Sequence, residues 1–118
     1  MLAGANRITS GSDYKAVVRR GLRFVAPHTV TYVRKSREDA PARFGFIVAK
    51  NVGGAVSRNR VRRRLKAAGY EILASVRPGT DVVVRALPSA LDASWPVLRA
   101  ELSEALIKGG ARQMVDQT

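Results

Sequence analysis

Two hydrophobic periods alternate along this chain, and the places where one gives way to the other mark its elements. Residues 1–11 show little periodicity and read as an arm, free to move, that carries Arg7. Ser12 then stands where a helix N-cap belongs, Asp13 suits the first turn and Gly21 the stop, while Tyr14, Val17 and Val18 share one helical face. Three strands follow at Leu22–Ala26, Thr29–Lys35 and Arg43–Lys50, separated by Pro27 and by the polar stretch from Ser36 to Ala42. In the second strand Val30, Tyr32 and Arg34 fall on one face of the pleat, a mixture of aromatic and cationic groups on which unpaired bases can stack. Gly53 and Gly54 precede a long helix from Ala55 to Val76, ended by Pro78 and Gly79. A valine-rich fourth strand, Asp81–Leu87, stops at Pro88. The last helix begins at Asp92 or Ser94, lines up Trp95, Leu98, Leu102 and Leu106, and closes at Gly109-Gly110. The order helix, three strands, helix, strand, helix predicts one α+β domain over residues 1–118, with residues 110–118 as a loose tail.

Charge sharpens this outline. The chain carries 21 basic against 9 acidic side chains, a net of +12. Residues 1–66 hold 16 of the basic and 3 of the acidic ones, a net of +13, and residues 67–118 come to −1. Surplus charge kept only for solubility would not collect in one half, and self-repulsion of this size opposes compaction, so a strongly anionic partner is expected. Nucleic acid answers this better than a membrane: there is no signal-like N-terminal run and no stretch near the roughly 20 apolar residues that a span requires. With no cysteine, thiolate metal sites and disulfides are excluded. A cytoplasmic location is the expectation.

The segment SRNRVRRRLKAAGYEIL carries the functional argument. At 100° per residue Val61, Leu65, Ala68 and Ile72 form a narrow apolar stripe. Asn59, Arg63 and Lys66 lie opposite, Arg60 and Arg62 on the flanks, and Arg58 and Arg64 beside the stripe. Cations near a helix N-terminus oppose its dipole, and like charges at i, i+4 repel by a few tenths of a kcal/mol per pair. A helix shaped for stability alone would interleave glutamates, yet none occurs between Arg58 and Lys66. Approaching phosphates reverse the sign of that cost, since the arginine fork matches phosphate oxygens.

Groups able to do chemistry are few. His28 is the single histidine and follows a proline at a strand junction, which reads as a turn residue. Glu38-Asp39 sits in a polar loop, Ser57 reads as a helix cap without a base beside it, and Gly53-Gly54 lacks the lysine and spacing of a phosphate loop. The chain supplies affinity for phosphate and no catalytic constellation.

The stretch from Arg43 to Leu65, with Ala55-Val56-Ser57-Arg58-Asn59-Arg60 at its centre, resembles the bacterial ribonuclease P protein family, whose signature is Ala-Val-x-Arg-Asn-Arg. The likeness extends upstream to Tyr14, Gly21 and Tyr32 and downstream to Asp81-Val-Val-Val-Arg, about 90 residues in all. It implies an α/β sandwich with a four-stranded mixed sheet and a left-handed βαβ crossover, where connection rules alone favour the right-handed one. It also implies that a catalytic RNA holds the magnesium ions, with none bound by the protein alone. The protein would grip that RNA and guide the 5′ leader of precursor tRNA. Transferred by position, the RNA-subunit contacts are Arg58, Asn59, Arg60, Arg62, Arg63 and Lys66, and the leader contacts are Tyr14, Val18, Tyr32 and Lys50. Where the family often has phenylalanine and a second aromatic, this chain has Tyr14 and Val18, and the usual Ser-Lys-Lys reads Ala49-Lys50-Asn51. The rival readings are a ribosomal RNA-binding protein, a DNA-groove reader and an autonomous nuclease. No helix-turn-helix pair precedes the basic helix, which disfavours the second, and the missing catalytic set disfavours the third.

Overall fold

The computed structural model describes residues 2–35 and 39–112. Helix α1 (Gly11–Arg20) is capped by Ser10, whose Oγ accepts the Ser12 amide at 3.2 Å, so the helix starts earlier than the Ser12 cap expected from the sequence. Both serines suit a cap; Ser10 takes the role because its backbone is extended and its hydroxyl also meets that of Ser12 at 2.7 Å. Strands β1 (Leu22–Val25) and β2 (Thr29–Lys35) pair antiparallel around the Pro27 turn. Strand β3 covers Arg43–Ile47 and stops three residues short of the expected Lys50. The apolar run continues through Val48, but Lys50–Val52 wind into a 3-10 turn and Gly53 takes φ 155°, a value that favours glycine.

Helix α2 (Ala55–Ile72) ends in a 3-10 turn at Leu73–Ser75 and carries the chain to β4 (Thr80–Ala86). Strand order is β1-β2-β4-β3, with β3 parallel to β4 and the other pairs antiparallel. The sheet is therefore mixed and four-stranded, as expected. A 3-10 turn at Pro88–Asp92 leads to Ser94, which occupies the N-cap position of helix α3 (Trp95–Lys108).

The pleat of the sheet sorts two apolar clusters. On one side Phe44, Val82 and Val84 meet Val61, Leu65 and Ile72 of α2 and Leu98, Leu102 and Leu106 of α3, each at most 1% exposed. The predicted stripe of α2 is thus the buried one. Trp95 departs from its expected place: it is half-buried at the first turn of α3, with an indole N–H that is enclosed and makes no hydrogen bond. On the other side α1 lies across β2 and β4, and Val17 joins Ile8, Val30, Tyr32 and Val83. The N-terminal arm is docked: Leu2 and Ile8 are each 4% exposed, Ile8 N–H donates to the Phe44 carbonyl at 2.9 Å, and Asn6 Nδ2 donates to the Ala42 carbonyl at 2.8 Å. At the other terminus Arg112 bridges to Val76, and the rest of the expected tail lies outside the described residues.

Candidate nucleic-acid interface

Burying Val61, Leu65 and Ala68 fixes the rotation of α2 and leaves its cations facing outward. Asn59, Arg60, Arg63 and Lys66 are exposed, and Arg62 is half-buried with its Nη1 donating to Asn59 Oδ1 at 2.8 Å. Asn59, Arg62, Arg63 and Lys66, with Val56, line a shallow depression of about 470 Å³. The structure therefore gathers four of the six residues expected to contact an RNA subunit. Arg60 lies exposed on the other flank, outside this depression. Arg58 is half-buried, and its Nε is enclosed without a partner. Arg64 has a different task, since its Nη1 donates to the Ala93 carbonyl at 3.0 Å and clasps the segment that leads into α3.

Arg62 and Lys66 also rim a second pocket of about 410 Å³, whose walls are Tyr14, Phe44 and Phe46 and the arm residues Leu2, Arg7, Ile8 and Thr9. Here the cationic helix meets an aromatic floor, with Phe44 and Phe46 stacked at 6.1 Å between ring centroids. Arg7 contributes from the arm, where its Nε donates to the Leu2 carbonyl at 2.9 Å. The sequence marked Arg7 only as part of an arm and gave no role to Phe46. Their spacing carries no local signal, because the pocket forms only when the arm docks beside β3.

Tyr14 belongs to this pocket. Its hydroxyl accepts the Phe46 amide at 3.2 Å, capping an outward N–H of the edge strand β3. A Cβ on Gly45 would sit 2.5 Å from the tyrosine ring, so the close approach of α1 requires glycine there. Tyr32 is placed differently. It is 5% exposed, beneath α1, with the Arg85 guanidinium 5.9 Å from its ring centroid. Val18 packs half-buried in the same cluster, and Lys50 is exposed on the turn after β3. The face of β2 that read as an open stacking platform is covered by α1: Val30 is 2% exposed and Arg34 half-buried. A helix laid over two strands buries what alternation alone leaves open to either side.

Electrostatic compensation separates free cations from engaged ones. Arg43 donates from Nε and Nη2 to both oxygens of Asp81 at 2.9 and 2.8 Å, and from Nη1 to Asp13 at 3.3 Å. The hydrogen-bonded Asp81 carboxylate raises the proton affinity of this guanidinium above its ordinary value. His28 is tied by Nδ1 to Glu101 at 2.5 Å, and the same carboxylate accepts the His28 amide and the Thr29 hydroxyl. That network pins the β1–β2 turn to α3, in keeping with the turn role read from the sequence. Glu38 lies outside the described residues, and among the described residues no three His, Asp or Glu side chains converge on a point. No helix among them is long and apolar enough to cross a membrane.

Comparison with known proteins places this geometry. The sequence model of the family described as Ribonuclease P matches residues 2–109. The ribonuclease P protein component of Clavibacter michiganensis is 48% identical over 108 residues, covering 92% of this chain and 96% of that one. The component from Arthrobacter is 45% identical over 90% of this chain and 78% of its own length. Among solved structures, the Staphylococcus aureus RNase P protein superposes with a TM-score of 0.80 at 22% identity, covering 92% of this chain and 98% of that one. The Thermotoga maritima RNase P protein gives 0.75 at 21% identity, over 86% and 96%. The fold is common to all of them, and the sequence relationship over nearly the whole chain settles the membership: this chain belongs to the ribonuclease P protein family.

Proposed function

We propose that this chain is the protein subunit of a ribonuclease P ribonucleoprotein, in which a catalytic RNA performs the 5′ endonucleolytic maturation of precursor tRNA. The observation that carries the reading is the outward face of α2, where Asn59, Arg62, Arg63 and Lys66 converge with no carboxylate among them. Such a surface neutralises phosphodiesters and releases their counterions, which gives affinity without sequence readout. Arg58 and Arg60 extend the same contact along the flanks of the helix. Magnesium is assigned to the RNA, where it would activate the attacking water.

The leader of precursor tRNA is assigned to the side of the sheet that carries α1. Tyr14 and Val18 present partly exposed surface there, and Lys50 supplies charge at the end of β3. Tyr32, being buried, acts by holding the floor in place with Arg85 above it. The test mixes the pure protein with ribonuclease P RNA and follows precursor tRNA cleavage at low magnesium. The assembled particle is expected to cleave where the RNA alone is slow and the protein alone is inert. Cleavage by the protein alone, or no effect of the protein on the RNA, would overturn the assignment.

A further inference from the structure

Another cationic concavity shares no residue with the basic first turns of α2 and lies where the chain passes from the end of that helix toward β4. It occupies the end of the sheet where β2 finishes, against the C-terminus of α3, and has a volume of about 660 Å³. Strand β1, which contributes Leu22 to its wall, is the edge of the sheet opposite β3, the strand beside α2. Four basic residues line it, Arg20, Arg34, Lys35 and Arg77, and among the described residues no acidic one does. None of these four makes a side-chain hydrogen bond or ion pair with another described residue. Asp81, the buried carboxylate near this end of the sheet, is taken up by Arg43.

The bland explanation is helix-dipole complementarity, since α1 and α3 both end here and favour cations at their C-termini. It accounts for Arg20, in the last turn of α1. It does not account for Lys35 at the end of β2 or Arg77 in the turn before Pro78, both exposed. These two add repulsion to a protein already at +12, with no carboxylate among the described lining residues to offset it. The floor is apolar, with Val33 and Ala111 at 5% and 4% exposure, so charge on the rim is poorly screened from below.

We infer that this cavity is a second phosphodiester-binding site for RNA, which lets the protein hold two separated backbone segments at once. The inference rests on the RNA-binding reading given above and extends it to the end of the sheet where β2 finishes. A contact there engages the backbone only, because no aromatic ring lines the cavity to stack a base.

The experiment measures the salt dependence of binding between the full chain and ribonuclease P RNA for three variants. Lys35→Gln/Arg77→Gln should lower the log–log slope by about 1.4–1.8, at about 0.7–0.9 for each lost phosphate contact. Lys35→Arg/Arg77→Lys, which keeps the charge, should restore the wild-type slope, separating charge from any local change of shape. Arg62→Ala/Arg63→Ala serves as the reference for the α2 surface, and its loss should add to that of the first variant because the sites share no residue. A wild-type slope for Lys35→Gln/Arg77→Gln, with a reduced one for the α2 variant, would overturn the second site and leave the α2 reading intact. Wild-type slopes for both would overturn the RNA reading itself.

Discussion

Arg43 and Asp81 form a buried ion pair whose loss is costly at a single residue. Asp81 is 3% exposed and both its oxygens are held by Arg43, so Arg43→Ala would strand a buried carboxylate. Removing one partner of such a pair costs about 3–5 kcal/mol, whereas Asp13→Ala, breaking an exposed arm of the same cluster, should cost under about 1 kcal/mol. Urea unfolding of the two variants tests this, and equal losses would show that Asp81 has another partner. Tyr14 offers a finer measure. Tyr14→Phe deletes the acceptor for the Phe46 amide and should cost about 1 kcal/mol, leaving RNA affinity unchanged because the ring still walls its pocket. A large loss of RNA affinity at unchanged stability would instead make that hydroxyl a ligand contact. Neither pairing was legible in the sequence: Arg43 and Asp81 are 38 residues apart and Tyr14 and Phe46 are 32 apart, so no local pattern links them.

Within α2 the sequence predicted correctly which residues face inward, because the 3.6-residue repeat depends on nothing outside the helix. It left Arg64 out of the RNA contacts but named no partner for it. Arg62 and Arg63 border the outward depression, while Arg64 clasps the Ala93 carbonyl. Arg62→Ala/Arg63→Ala should therefore flatten the salt dependence of RNA binding by about 0.7–0.9 per contact with little change in melting temperature. Arg64→Ala should do the reverse, lowering stability by about 1–2 kcal/mol with the salt slope kept. Melting curves and binding isotherms on the same samples check both, and a flattened slope for Arg64→Ala would add that side chain to the RNA surface. The end of β3 shows the opposite case. Phe46, Ile47, Val48 and Ala49 read as continuing strand, yet the chain leaves the sheet at Ile47, since Val48 and Val52 are buried in the main core by turning away from β4.

At the scale of the molecule, a net of +13 over the first 66 residues makes compaction sensitive to anions. Sulfate or phosphate binding only the folded state should stabilise it by about 2.7 kcal/mol at a hundredfold excess over the dissociation constant. The check is the melting temperature in sulfate against chloride at matched ionic strength. Equal values would show that the charge surplus is merely screened and not specifically bound. The sequence by itself determined the order of elements, the inward stripe of α2, the cationic outward face and the family, because each is written in neighbouring residues or in one contiguous signature. Only the tertiary structure decided that the arm docks beside β3, that α1 covers Tyr32, and that Arg7, Phe46, Arg62 and Lys66 share one pocket. It also decided that Arg20, Lys35 and Arg77 line one cavity at the end of the sheet where β2 finishes. The physical reason is the same in each case: these side chains meet through packing and strand pairing between distant segments, and a one-dimensional pattern records the partners of a residue only when they lie within a turn or two of it.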